Sequence, residues 1–384
     1  MATAKTKAKP AEKSSANKPA EKNGAKPLVK PGKVTKEFAA NGKPFVMIMA
    51  GGSGTRLWPM SRVSRPKQLI NITGKRSLIE EAVERAKLLT TPDRIYIGTN
   101  KDLALKIQKV VKLDKKQYLL EPAARNTAPI IAYFASYLKA HGADDASGLV
   151  ILAADHHIEP VDKWAETVKL ALSRAAERIW CMGIQPTRAE TGYGYIEAGI
   201  EVAPRMSAIS SFREKPDYQT ASHYLTTERH FWNSGMFIFS LGRIREDFRI
   251  YQSEMLKQAD QCAQSTANLA KIFPKMQNIS IDYAIMEKTK KVGLIRADFT
   301  WDDVGSFDAL ARIHAADATG NHVIQGKVIS HRAKGNIIKT NFTVALLGLE
   351  NCVLIEDEGV LLIAKREALP DIRDLREKAP DQLL

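Results

Sequence analysis

The chain has 384 residues, 44% of them hydrophobic, a formal net charge of +14 and three cysteines. At about 100–200 residues per domain, that length holds one large domain and a smaller unit. No apolar run approaches the roughly 18 residues of a membrane span, and the N-terminus lacks the hydrophobic stretch of a secretory leader. Cys181, Cys262 and Cys352 are scattered and odd in number, which argues against a disulfide framework or a zinc site and for a reducing cytoplasm.

The charge is concentrated at one end. Residues 1–36 carry ten lysines against two glutamates, a net +8 that leaves +6 for the rest of the chain. This Lys/Ala/Pro-rich stretch has no hydrophobic period and little beyond Leu28 and Val29 to bury, so residues 1–40 read as a disordered basic tail. Solvation is the expected state of such a tail. Nucleic-acid binding is the rival, but no base-stacking motif accompanies the charge, so no specific nucleic-acid partner is expected.

From Pro44 onward, strand-like runs at 45–49, 94–99, 118–120, 149–153 and 179–183 alternate with helical patterns at 77–89, 128–140 and 163–178. That alternation predicts an α/β fold, a mostly parallel Rossmann-like sheet with helices on both faces. In such sheets ligands sit beyond the carboxyl ends of the strands. After about Asn321 the pattern changes to short apolar runs punctuated by Gly326, Gly335, Gly348 and Gly359, which predicts a small all-β unit. The expected divisions are therefore a tail at 1–40, a catalytic domain at 41–318 and a β unit at 319–384.

The first strand leads into Gly51-Gly52-Ser53-Gly54-Thr55-Arg56, with Pro66-Lys67-Gln68 close behind and a helix from about Ser77. Glycines between a strand and a helix let backbone N–H groups converge on an anion, and Arg56 and Lys67 supply cations for a polyphosphate. A tight turn without a ligand would need only the glycines. The dinucleotide pattern G-x-G-x-x-G fails because Leu57 stands where the third glycine belongs. A Walker A loop fails because no lysine follows Gly54 directly.

This block, read as G-G-x-G-T-R-L-x-P followed by P-K-Q, resembles the signature of the sugar-phosphate nucleotidyltransferases. Six further blocks resemble the mannose-1-phosphate guanylyltransferase branch: Glu121–Thr127, Ala154-Asp155-His156, Gly192–Ile196, Phe212–Pro216, Trp232–Phe237 and Trp301–Ser306. The resemblance implies transfer of GMP from GTP to mannose 1-phosphate, with Mg²⁺ as cofactor and a homodimer formed through a C-terminal β-helix-like segment. Such a transfer joins two anions and requires no protein nucleophile, so the work is charge neutralisation and in-line alignment.

Carried over block by block, the resemblance makes Arg56, Lys67 and Asp155 the catalytic group. Gly51, Gly52, Ser53, Gly54 and Thr55 would cradle the nucleotide phosphates. Asp155 and Asp303 would hold the metal, which as a hard cation needs only one or two carboxylates beside substrate phosphates; Asp302 is the rival for the second place. Gly192, Gly194, Glu214, Lys215 and Asn233 would bind the sugar phosphate. For the base, Glu121 can accept from the guanine N1–H and N2–H₂ groups, whereas Arg125 and Asn126 can read O6 and N7; spacing leaves the choice open.

The chain departs from the family pattern in three places. Ala153 stands where proline is common, Arg65 where an aromatic is usual, and Phe307 where tryptophan is usual. None removes a charged group from the site. No closely spaced H-x-H cluster follows Gly305, so the isomerase activity carried by many relatives is not expected. The alternatives are the same transfer on another sugar 1-phosphate, or a catalytically silent nucleotide sensor on this fold.

Overall fold

The uninterrupted apolar run Phe45–Met49 forms strand β1 because both of its faces are covered. Val46 and Ile48 enter one core layer and Met47 the other, as expected for a strand buried on both sides. The computed structural model describes residues 42–52, 54–74 and 76–383; the anticipated basic tail and Ser53 lie outside the described residues. Beside β1 run β2 (Ile95–Thr99) and β4 (Gly148–Ala153), both parallel to it, and β3 (Tyr118–Leu120) flanks β2.

The sheet is completed by β6 (Ile179–Ile184), β7 (Tyr195–Ala203), β8 (Met206–Arg213), β9 (His230–Ser240) and β10 (Val292–Arg296), in the order β3-β2-β1-β4-β9-β6-β10-β8-β7. Strands β1 to β4, β6 and β10 share one direction, while β8 and β9 run against them. The sheet is thus mostly parallel, with an antiparallel insertion at β9 that the strand-helix alternation did not reveal. A separate antiparallel ribbon pairs β5 (His157–Glu159) with β11 (Thr300–Asp302).

Local signals explain the helices. Ser77 and Glu80 form a capping box that starts the helix Leu78–Lys87, whose Ile79, Ala82, Val83 and Ala86 face the core. The helix anticipated over 163–178 runs Val161–Leu172 and stops early. Past its end, Trp180 Nε1 takes the Arg174 carbonyl at 2.9 Å and the Ser240 amide takes that of Ala175 at 2.9 Å. Those carbonyls serve tertiary contacts, a diversion that amphipathic periodicity does not register.

After Asn321 the chain forms a four-stranded sheet, as the short apolar runs suggested, but the unit is not all-β, because a 3₁₀ turn at Arg366–Asp371 and a helix at Ile372–Glu377 follow the last strand. The sheet comprises β12 (His322–His331), β13 (Ile337–Leu347), β14 (Cys352–Asp357) and β15 (Val360–Lys365). The first three pair in parallel across short connections, and β15 closes an antiparallel hairpin. A buried asparagine ladder crosses the rungs: Asn336 Nδ2 donates to Asn321 Oδ1 (2.9 Å) and to the Leu349 carbonyl (2.8 Å), while Asn336 Oδ1 accepts from the Cys352 amide (2.9 Å). These strands share a core with the preceding α/β part of the chain, since Ile337, Val353 and Ile355 cluster with Leu57, Met60, Ile70 and Phe307.

Among the described residues no helix is long and apolar enough to cross a membrane. Replacing Asn336 by Leu leaves the buried Cys352 amide without its partner and removes one of two donors from both the Asn321 side-chain oxygen and the Leu349 carbonyl, and such losses are costly. Chemical denaturation is expected to show a loss of about 2–3 kcal/mol. A change below about 0.5 kcal/mol, the range of an ordinary surface substitution, would show that the ladder does not stabilise the unit.

Candidate active site

Strand register sets the site. Met49 pairs with Ala153, Gly98 pairs with Met49, and Leu120 pairs with Thr99. The glycine loop, Asp155 and Glu121 therefore leave the sheet at one edge, the carboxyl end expected to carry ligands. Asp303 arrives by another route. In the β5–β11 ribbon Asp302 pairs with His157, so the residue after Asp302 lies opposite His156, next to Asp155.

Within the loop, Gly51 and Gly52 are exposed and Gly54 adopts φ +63° before a short 3₁₀ turn, Thr55–Leu57, that carries an exposed Arg56. The chain then returns on itself. Ser61 Oγ donates to the Gly54 carbonyl (2.6 Å), and Gln68 Nε2 donates to the carbonyls of Gly51 (2.8 Å) and Gly52 (3.2 Å). The return packs Lys67 so tightly on Gly54 that a Cβ there would lie 2.3 Å from the lysine Cβ. Only glycine fits, for space as well as for conformation.

Lys67 is buried, and its ammonium donates to Asp155 Oδ2 at 2.7 Å and to the Asp303 carbonyl at 2.6 Å. Burial raises the pKa of the Asp155 carboxyl, but the charges of Lys67 and His156 and the lysine hydrogen bond outweigh it, so the net shift is downward and the carboxylate stays ionised. Burial lowers the pKa of the His156 imidazole, whose Nδ1 accepts from Trp301 Nε1 at 3.1 Å. Tyr193 donates to Asp303 Oδ1 at 2.6 Å, and its phenol is held well above its ordinary range, chiefly by burial and then by the Asp303 charge.

The two adjacent acids separate cleanly. Asp302 is buried, accepts from the Val304 amide at 2.8 Å and pairs with Arg312 Nε at 2.6 Å, a structural engagement of both oxygens. Asp303 is the one that lies beside Lys67 and Tyr193. Asp155 and Asp303 are the two carboxylates here that could hold a hard cation such as Mg²⁺, with one Asp155 oxygen already paired to Lys67.

A second cluster lies next to the first through the Tyr193-Gly194 step. Asn233, on β9, donates its amide N–H to the Gly194 carbonyl (2.8 Å) and Nδ2 to Asp282 Oδ1 (3.0 Å). A Cβ on Gly194 would sit 2.5 Å from Glu214 Oε2, so this glycine makes room for that carboxylate. Lys215, at φ +45° and exposed, pairs with Glu214 Oε1 at 3.2 Å. The Gly192 amide donates to Glu190 Oε1 at 3.0 Å, a contact within the same loop.

On the base side, the structure engages two of the three candidates elsewhere. Arg125 Nε donates to the Pro274 carbonyl at 2.8 Å, and Asn126 caps the helix Thr127–Ala140 by accepting from the Thr127 amide at 2.9 Å. Glu121 remains, with its carboxyl pushed up to about 7 by burial.

Three residues of the site escape a reading of the sequence. Gln68 ends the P-K-Q signature, which gives it no role of its own, yet it ties the glycine loop down. Tyr193 is masked by the two glycines on either side of it. Asp282 opens a π-helical turn, Asp282–Met286, and its carboxyl is pushed up to about 6 by burial and then by the Glu214 charge. A π turn at a polar cluster is a recognised mark of functional sites, but no residue pattern announces one.

The model of the Nucleotidyl transferase family matches residues 45–320, and the chain belongs to that family. A mannose-1-phosphate guanylyltransferase of Escherichia coli is 32% identical over 348 residues, 86% of this chain and 74% of that protein. The alginate biosynthesis protein AlgA of Pseudomonas aeruginosa is 34% identical over 345 residues, 85% of this chain and 70% of that protein. A solved structure from Thermus thermophilus, described as a mannose-1-phosphate geranyltransferase, superposes with a TM-score of 0.80 at 29% identity, covering 88% of this chain and 99% of that one. The chain is accordingly an enzyme of nucleotidyl transfer to a sugar phosphate.

Gly54→Ala forces the left-handed region on a residue with a side chain and drives its Cβ into Lys67. Misplacing a charged group by about 1 Å costs about 10²-fold in rate. Steady-state assays should show at least that loss with nucleotide and sugar phosphate both saturating. Turnover within a few-fold of the parent would mean that the Gly54–Lys67 contact is not needed.

Proposed function

We propose that this enzyme transfers GMP from GTP to mannose 1-phosphate, releasing pyrophosphate and forming GDP-mannose. The observation that carries the reading is the convergence of Lys67, Asp155 and Asp303 beside a glycine loop at one sheet edge. The names of the relatives supply the choice of guanine and mannose. An oxygen of the sugar phosphate attacks the α-phosphorus, the bond to the bridging oxygen of the β-phosphate breaks, and its electron pair leaves on pyrophosphate. No protein nucleophile takes part.

The roles divide along the two clusters. Arg56 and Lys67 neutralise the triphosphate and the departing pyrophosphate, while backbone amides of the glycine loop orient it. Lys215 holds the phosphate of the acceptor, and Glu214 and Asn233 accept and donate at the sugar hydroxyls. Asp155 and Asp303 would hold Mg²⁺, which when bound supplies charge neutralisation of the phosphate oxygens. Glu121, ionised, accepts the two donors of the guanine edge.

A homodimer through the C-terminal unit is part of the same proposal. Ile329, Phe342, Leu347 and Ile363 leave large apolar side chains exposed on its strands, the composition of a surface that another copy covers. A reducing, cytoplasmic setting fits the three buried free thiols.

Pyrophosphate release measured over four nucleoside triphosphates and several sugar 1-phosphates tests the reading directly. GTP with mannose 1-phosphate should lead by at least about tenfold, about 1.4 kcal/mol of transition-state binding. A faster reaction with UTP or dTTP would overturn the base assignment, and equal rates with glucose 1-phosphate would overturn the sugar.

The Glu121 carboxyl adds a pH signature. It is neutral below about 7 and charged above, so its acceptor strength falls as pH falls. The KM for GTP should therefore rise as the pH drops from about 8 to about 6, while Glu121→Gln gives a KM that is higher and flatter across that range. Parallel profiles in parent and variant would remove Glu121 from the base site.

A further inference from the structure

Lys67 belongs to a segment outside the sheet, so something other than the ladder must fix it. On one side Ser61 and Gln68 tie it to the glycine loop. On the other, the segment is gripped by the tip of the β14–β15 hairpin. Arg62 Nη2 donates to the Asp357 carbonyl at 2.7 Å, and Arg62 Nε donates to the Pro59 carbonyl at 3.2 Å. Arg65 pairs with the Asp357 carboxylate, reaches Glu358 Oε1 at 3.5 Å and donates to the Met60 carbonyl at 3.2 Å.

The two arginines also close a small turn on each other, with the amides of Arg62 and Arg65 donating to one another's carbonyls at 3.0 and 3.1 Å. Pro66 and Lys67 follow at once. Asp357 is itself buried and lies 3.6 Å from Lys339, so its carboxylate sits between two cations on different elements. Paired charges in such a setting favour one geometry, because moving Arg65 away leaves the buried Asp357 carboxylate with only the longer contact to Lys339. Position 65 is also where this chain departs from the aromatic usual in its family.

We infer that Arg65 and Asp357 are positioning residues for Lys67, through which the C-terminal unit sets the alignment of the transferred phosphate. Neither touches substrate. The pair acts by holding the turn from which Lys67 projects, so the C-terminal unit is part of the catalytic apparatus and more than a docking module. This rests on the reading of Lys67 as the phosphate-side cation.

The test uses the full-length protein with GTP and mannose 1-phosphate. Arg65→Met keeps most of the side-chain bulk and removes the charge, Arg65→Lys restores a cation, and Asp357→Asn removes the other partner. Arg65→Met should lower kcat by about 10- to 100-fold, the scale of a displaced catalytic group, with the KM for mannose 1-phosphate within about twofold of the parent. Arg65→Lys should recover a large part of kcat. The double variant Arg65→Met/Asp357→Asn should be no slower than the slower single variant, since both remove one device.

Melting temperatures are read alongside. A merely structural pair would lower stability while leaving kcat of the folded protein intact, and that result overturns the inference. So would a double variant whose kcat losses multiply. If Arg65→Met does not fold, Arg65→Lys and Asp357→Asn carry the same comparison. A parent inactive on this substrate pair would refute the proposed substrates instead, and the series is then read on the pair that the parent does turn over.

Discussion

One ammonium group holds this site together. Lys67 bridges the carboxylate that ends β4 and the backbone that ends β11, while its own stem lies against the glycine loop that ends β1. The sheet delivers these loops to one edge by register, but register leaves loop tips free. A buried cation between hard acceptors fixes them, because moving away leaves both the ammonium and the Asp155 carboxylate desolvated and unpaired. The same arrangement suits phosphoryl chemistry. A site that handles two anions needs fixed positive charge, and a pre-set cation requires no rearrangement during the reaction.

The rest of the site follows from where that cation sits. Tyr193 orients Asp303, and the next residue, Gly194, clears space for Glu214 and receives Asn233. The Lys67 cluster and the Glu214–Asn233 cluster therefore meet at residues that are neighbours in the chain. Asp282 adds a second electrostatic feature, a carboxyl pushed up to about 6 by burial and then by the Glu214 charge.

Much of this was legible in the residues, for reasons that can be named. Strands buried on both faces write themselves as apolar runs, which is why β1 and β4 stood out, and the glycine loop is conspicuous because backbone conformation restricts it. The antiparallel insertion of β9 was not legible, since a buried strand has the same composition in either direction. Asp302 and Asp303 could not be separated by type; only the folded contacts show that the Asp302 carboxylate pairs with Arg312 while Asp303 meets Lys67 through its carbonyl and Tyr193 through its carboxylate. Sequence left Arg125 and Asn126 open as base readers beside Glu121; the bonds of Arg125 to the Pro274 carbonyl and of Asn126 to a helix terminus are set by tertiary structure, which no local pattern carries. The Asp357 contact with Arg65 spans nearly the whole domain, a distance at which no local pattern carries information.

The most direct measurement contrasts neighbouring isosteric changes, Asp303→Asn and Asp302→Asn, by kcat and by melting temperature. If the Lys67 centre is the site of transfer, Asp303→Asn lowers kcat by at least about 10²-fold, the scale of one lost electrostatic contact in the transition state, with its melting temperature nearly unchanged. Asp302→Asn breaks the Arg312 pair and shows the opposite balance, a clear loss of melting temperature with a smaller effect on kcat. Turnover of Asp303→Asn within a few-fold of the parent, at equal stability, would contradict a Lys67-centred site of transfer.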